Sequence, residues 1–162
     1  MTFDELLRKY QSTKSDPFAA SGLLYLIPAG GNNFKGELIE LLGHKIKNKD
    51  SEDLEFYLAL AHQDGMDGAY KPILKELVLA TWHQSHEDIV SYIGDLRDDD
   101  FTDDLYTIAI TPEPYRQYDD ELEATLRKCI HALKAINSNH SNERLEQLKA
   151  TGNENVHYAL EQ

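Results

Sequence analysis

A single cysteine, Cys129, stands in the 162 residues, so no internal disulfide can form and a reducing cytoplasm is the expected setting. No apolar run approaches the ~18 residues of a membrane span. The polar start Met1-Thr2-Phe3-Asp4-Glu5 lacks the basic segment that opens a signal peptide, so no leader is expected. Cations are scarce: 16 Lys+Arg face 29 Asp+Glu, a formal net charge of −13. A phosphate backbone is bound by clustered Lys and Arg, which argues against nucleic acid as the main ligand and equally against an anionic membrane surface. The hydrophobic share of 41% is nonetheless well above disordered composition, and the length fits one domain.

What is present is helical periodicity divided by capping signals. Thr2-x-x-Glu5 reads as a capping box ahead of Phe3, Leu6, Leu7 and Tyr10. Asp16-Pro17 opens a second segment through Phe18, Leu23, Leu24 and Ile27, in which Gly22 to Ile27 is open to a short buried strand instead. Gly30-Gly31-Asn32 reads as a loop before the stripe Phe34, Leu38, Leu41, Leu42 and Ile46. Ser51 is expected to cap Leu54, Tyr57, Leu58 and Ala61, with Gly65 or Gly68 as the stop. Pro72 starts a stripe of Ile73, Leu74, Leu77, Val78 and Trp82. Ser85-x-x-Asp88 resembles a capping box ahead of Ile89, Val90, Ile93 and Leu96. Thr102 caps Leu105, Ile108 and Ala109, a segment whose β-branched content keeps a strand open. Asp119 is expected to cap the clearest helix, Leu122 through Ile136, and Ser141 and Asn153 the last two. The reading is all-α with about nine helices and no confident strand.

Six apolar positions repeat at a fixed distance. Ile89, Val90, Ile93, Leu96, Leu105 and Ile108 align with Cys129, Ile130, Leu133, Ile136, Leu145 and Leu148 at an offset of 40 residues. That offset falls within the ~40–47 residues of HEAT and armadillo units, whose helical hairpins stack because one hairpin cannot bury its own apolar face. The expectation is a single helical-repeat domain over 1–162, an α-solenoid of short stacked antiparallel hairpins, with degenerate helices over 1–68 and HEAT-like repeats over 69–162. Ala124, Ala132 and Ala135 give the last long helix, Leu122 through Ile136, a second, small-residue face suited to close stacking.

Charge is unevenly spread. Residues 1–81 carry nine Lys+Arg and twelve Asp+Glu, whereas residues 82–162 carry seven and seventeen. Glu87, Asp88, Asp95, Asp98, Asp99, Asp100, Asp103 and Asp104 are opposed within their own span only by Arg97. Caps explain single carboxylates such as Asp88 and Asp119, but not three in a row. Concentrated like charge repels itself, and a basic partner would relieve it and be steered toward it. Trp82, Tyr92, Phe101, Tyr106, Tyr115 and Tyr118 punctuate the same stretch; Phe101 and Tyr106 fit the core better than a surface. Loop Tyr115 and Tyr118 flank Arg116 in the Pro-containing insertion Thr111 to Tyr118, a composition suited to a protein interface.

No reaction centre assembles in the sequence. His83-Gln84-Ser85-His86-Glu87-Asp88 is the most metal-like stretch, but it lacks the His-Glu-x-x-His order of a zincin. Counted from Asp98 as an EF-hand loop, positions six and twelve hold Asp103 and Ala109 instead of Gly and Glu, so calcium is not expected. Gly30-Gly31-Asn32-Asn33 lacks the Lys and Ser/Thr of a phosphate loop. Cys129 lies on an apolar stripe without a base beside it and reads as core, and His131 as a boundary residue. Neither a metal nor another cofactor is expected.

Residues 70–162 resemble the HEAT-repeat immunity proteins of contact-dependent growth inhibition and related polymorphic toxin systems. The resemblance is carried by Trp82-His83-x-x-His86-Glu87-Asp88-Ile89 running into Tyr92-Ile93-x-x-Leu96. Tyr118-Asp119-Asp120, Arg127-Lys128-Cys129-Ile130-x-Ala132-Leu133 and Gly152-Asn153-Glu154 continue it. It implies a non-enzymatic cytoplasmic antidote that binds one cognate toxin domain, often a nuclease, whose basic cleft an acidic surface would fill. The candidate partner-binding residues are Trp82, His83, His86, Glu87, Asp95, Asp98, Asp99, Asp100, Asp103, Tyr115, Tyr118 and Asp120. The alternatives are a general helical-repeat scaffold for another cytoplasmic protein and a metal-dependent hydrolase built on His83 to Asp88.

Overall fold

The computed structural model describes residues 1–26 and 32–162. Among these residues there are ten α-helices and three short 3-10 turns, with no strand, so the helical reading holds and the count is ten rather than about nine. Both strand alternatives resolve to helix as far as they are described: Leu24–Leu26 is a 3-10 turn and Thr102–Ile110 an α-helix. Ile27, Gly30 and Gly31 lie outside the described residues. No helix among the described residues is long and apolar enough to cross a membrane. The chain divides into two compact units, Met1–Tyr70 and Lys71–Gln162.

The first unit holds α1 (Phe3–Thr13), α2 (Pro17–Leu23), α3 (Asn32–Lys47) and α4 (Leu54–Gln63), with 3-10 turns at Leu24–Leu26 and Gly68–Tyr70. Its starts follow local chemistry. Thr2 and Glu5 close a reciprocal capping box on α1, and Asp16 accepts from the amides of Phe18 and Ala19 with Pro17 as the first helical residue. Ser51 does not cap α4. The N-cap is Asp53 in a left-handed conformation (φ 59°), and its carboxylate is used instead to bind the Tyr10 hydroxyl (3.0 Å) and the Gln11 amide (3.1 Å). The core joins Phe3 edge-to-face with Phe34 and stacks Tyr10 on Phe56, around the fully buried Leu38, Leu42, Leu60 and Tyr70. Phe18, placed by its spacing on an inward stripe, is 91% exposed, because a seven-residue helix buries only Leu23.

The second unit holds α5 (Lys71–Val78), α6 (His86–Leu96), α7 (Thr102–Ile110), α8 (Ala124–Ile136), α9 (Asn139–Lys149) and α10 (Glu154–Glu161), with a 3-10 turn at Asp99–Phe101. α8 is its centre, packing against α6, α7, α9 and α10. The apolar stripe predicted for it is buried from Leu126 through Leu133, Cys129 included. α8 starts at Ala124, two residues later than the expected stripe, and leaves Leu122 54% exposed. Trp82, expected on the α5 stripe, lies beyond the end of that helix and is half-buried.

The repeat of 40 residues has a backbone counterpart. α6 and α8 pack together, as do α7 and α9, so equivalent helices are neighbours. The hairpin turns match as well. Arg97 ends α6 at φ 53°, ψ 37° with its amide on the Ile93 carbonyl; Asn137, 40 residues on, ends α8 at φ 52°, ψ 42° with its amide on Leu133. The next residue is extended in both, and each is an N-cap: Asp98 accepts from the Asp100 amide, and Ser138 from Ser141 in a capping box. Ser138, not Ser141, is therefore the cap of α9, and Thr102 is the first residue of α7 rather than its cap. A left-handed residue followed by an extended cap reverses the chain within a short link, and this reversal sets the register of each pair. Gly94 faces α8 at contact distance: a Cβ there would meet the Ala132 Cβ at 3.4 Å, an ordinary van der Waals separation.

Candidate functional site

Because α6 runs between them, the sequence-predicted site separates into two places. At 1.5 Å per residue, Glu87 and Leu96 lie about 14 Å apart along the helix. Trp82, His83, His86, Glu87, Tyr115, Tyr118 and Asp120 belong to the starting end of α6, and Asp98, Asp99, Asp100 and Asp103 to its far end.

At the starting end an aromatic row crosses from the α5–α6 turn to the α7–α8 connection. Trp82 meets His83 edge-on (5.1 Å), His83 stacks on His86 (4.4 Å), and His86 meets Tyr115 edge-on (5.3 Å). His83 and His86 are only 3% exposed each, so both rings are largely interior, His86 at the edge of the cleft described below. Their Nε2 atoms lie 2.7 Å from the carbonyls of Leu77, in the last turn of α5, and Ala80, just beyond it; Leu77 also accepts from the Ala80 amide. The Ser85 amide donates to His83 Nδ1 at 3.0 Å, which fixes a neutral ring with its proton on Nε2. Burial brings the His83 pKa down to about 4 and lowers that of His86. Ser85 sits at the N-cap of α6 but makes no side-chain capping bond, so the expected capping box is absent.

The α7–α8 connection is fastened from beneath by Arg116, which the sequence showed only as a cation between two tyrosines. Its Nε donates to the Ile108 carbonyl and one terminal nitrogen to the Ala109 carbonyl, both at 3.0 Å. Its other terminal nitrogen binds Glu123 at 3.0 Å and lies 3.8 Å from Asp119. The guanidinium thus satisfies the last carbonyls of α7 and holds two carboxylates of the next helix start. Asp119 caps α8 from a distance, accepting from the amides of Thr125 and Leu126 and from the Thr125 hydroxyl (2.6 Å). Burial works against ionised Glu123, but hydrogen bonds from Asn155, Asn153 and Arg116 outweigh it and hold the carboxyl below its ordinary range. From this braced base Tyr118 projects 71% exposed, beside the exposed Asp120, Glu121 and Leu122. Gln84, Glu87, Pro114, Tyr115, Gln117 and Tyr118 line a small cleft of about 60 Å³ here.

The far end is acidic in sequence but mixed in space. Lys71 reaches Asp98 (2.7 Å) and Asp100 (2.5 Å), and Lys75 reaches Asp104 (2.7 Å) while its ammonium lies over the Phe101 ring. Arg144 and His140 both bind Asp103, at 2.7 and 2.9 Å, and Asp99 accepts from Ser138 and Thr102. These partners keep Asp98, Asp99 and Asp103 below the usual carboxylate range, through Lys71, Ser138 and Arg144 in turn. The apparent lack of counter-ions came from reading along the chain. The cations arrive from α5 and α9, and the only signal for them was the Lys71/Lys75 spacing of one helical turn. Asp95 belongs to neither end. It lines a groove of about 430 Å³ between α6 and α8, with Arg97, Lys128 and His131 on the rim and Gly94, Ala132 and Ala135 in the floor.

No protein-family model, curated protein or solved structure matches this chain. Function is therefore argued from the residues and their geometry. No group of three or more His, Cys, Asp or Glu among the described residues is placed to hold a metal ion. Burial pushes the Cys129 thiol up to about 12.

Proposed function

We propose that this chain is a cytoplasmic immunity protein that binds and neutralises a cognate toxin domain, a nuclease in the reading that fits its charge best, without itself being an enzyme. The observation that carries the proposal is the braced α7–α8 connection, which holds an exposed tyrosine and leucine among carboxylates. Exposed aromatic anchors on a rigid base lose little conformational freedom on binding, and surrounding charge sets orientation and approach rate. The Arg116 and Asp119 bonds supply that rigidity, and Tyr118, Leu122, Asp120, Glu121 and Glu87 the contact chemistry. A stable complex covers about 800 Å² of each partner, a patch roughly 30 Å across. The carboxylates Asp98 to Asp103, at the far end of α6 and largely paired with Lys71, His140 and Arg144, are secondary to this patch. The in-register pairs α6–α7 and α8–α9 further support a HEAT-like solenoid in the second unit.

The test is a toxin domain encoded immediately upstream of this chain. Co-expression should restore growth, and calorimetry should give a salt-sensitive complex weakened at least tenfold by Tyr118→Ala combined with Asp120→Lys. Absence of both rescue and binding would sink the proposal.

A further inference from the structure

We infer that the cleft between the start of α6 and the α7–α8 connection is a receptor for one guanidinium group, the tip of an arginine side chain presented by the partner. The inference rests on reading this end as the docking surface and names the chemistry it selects. The cleft is small, about 60 Å³, and its lining is mainly polar and aromatic, which suits a planar cation better than an apolar side chain. Two of its walls are aromatic. Tyr115 is set by its edge contact with His86, and Tyr118 stands 71% exposed beside it. Aromatic faces attract guanidinium through the ring quadrupole and allow it to lie flat, a geometry an ammonium cannot copy. Glu87 supplies a carboxylate wall, and the amides of Gln84 and Gln117 supply oxygen acceptors.

Two cations already stand near the cleft, and neither fills this role. Arg116 lines it, but its nitrogens are committed to the carbonyls of Ile108 and Ala109 and to Glu123. Lys128 binds Glu87 at 2.9 Å, but both side chains remain partly exposed, 37% and 50%, and exchange with a better bidentate partner is open to them. Lys128 thus acts as a resident placeholder. Glu87 is held by Lys128, and Asp119 and Glu123 lie with Arg116, so the carboxylate open to an incoming cation is Glu87, next to the exposed Asp120 and Glu121 of the α7–α8 connection.

The experiment uses the full chain and N-acetyl-arginine methylamide as probe, followed by NMR on the Tyr115 and Tyr118 ring signals. Saturable shifts with a millimolar Kd are expected. The citrulline analogue, which is isosteric and neutral, should bind at least tenfold more weakly, and the lysine analogue about threefold more weakly. Glu87→Gln and Tyr118→Ala should each weaken the arginine probe about threefold or more. Lys128→Ala should tighten it about twofold by freeing Glu87, an effect a merely structural lysine would not give. Asp103→Asn, at the far end, should leave it unchanged. Equal binding of arginine and citrulline probes, or shifts insensitive to Glu87→Gln and Tyr118→Ala, would overturn the assignment. Because the probe is independent of any toxin, a cleft that binds it stands even where no toxin complex forms. Conversely, a tight complex unaffected by Glu87→Gln would show that the partner presents no arginine to the cleft and leave the neutralising role intact.

Discussion

Arg116→Ala tests the bracing most directly. The side chain is 7% exposed, and its removal takes a donor from the Ala109 carbonyl, leaves Ile108 with the Thr111 amide alone, and deprives Glu123 and the equally hidden Asp119 of their cation, although both carboxylates keep other hydrogen bonds. Breaking a buried charge pair by deleting one partner costs about 3–5 kcal/mol, and an unsatisfied buried carbonyl about 1–3 kcal/mol, although water can enter a truncated site and recover part of this. We expect a loss of about 3–5 kcal/mol, a large share of the ~5–15 kcal/mol that holds a typical domain together. At about 2–4 °C per kcal/mol for a chain of this length, the melting temperature should fall by roughly 6–20 °C. Urea unfolding followed by circular dichroism measures the free energy, and calorimetry the midpoint. Arg116→Lys, which keeps the charge but loses the planar fork, should recover less than half of the loss. A penalty below about 1 kcal/mol for the alanine variant would refute the view that this guanidinium supports the connection.

Further expectations follow from particular side chains. The His83 pKa is depressed from 6.5 to about 4, so the unfolded chain binds the extra proton first. Its contribution is complete above about pH 6.5 and is lost as the pH falls toward 4. The His83 ring proton should titrate near pH 4 by NMR, and a midpoint near 6.5 would contradict its burial. Asp98, Asp99 and Asp103, whose pKa values lie below 3.8, add a second loss confined to still lower pH. Cys129 should resist thiol reagents in the native protein and label fully in denaturant; labelling at native rates would place it at the surface. Arg97→Gly should raise stability by about 0.5–1 kcal/mol in urea titration, since it relieves a left-handed residue that bears a Cβ. A loss instead would mean that the Arg97 side chain contributes more than its backbone strain costs.

Periodicity made the helices legible because each buries a stripe, and the stripes of α6 to α9 carried even the 40-residue register. Starts were legible where the capping side chain adjoins its helix, as at Thr2, Asp16 and Asn153. They failed where the cap acts at a distance or through the backbone. Asp119 binds amides six and seven residues on, and Asp53 starts α4 by its left-handed conformation while its carboxylate binds α1. The candidate site was half legible. Aromatic and acidic residues were recognised by type, but side-chain pairing is a property of tertiary distance. Local reading therefore saw the aspartates near α7 as unopposed, when α5 and α9 bring Lys71, Lys75 and Arg144 to them. The same limitation made two interior histidines look like surface groups.

The matched links at Arg97–Asp98 and Asn137–Ser138 share one backbone reversal, so their halves are interchangeable in conformation. Excising residues 98–137 would join Arg97 directly to Ser138, so that a left-handed stop again precedes an extended cap with the backbone angles each position already has. That junction needs no new backbone conformation, but the cut removes α8, on which α6, α9 and α10 all pack, so the matched reversal is separable from the core it serves.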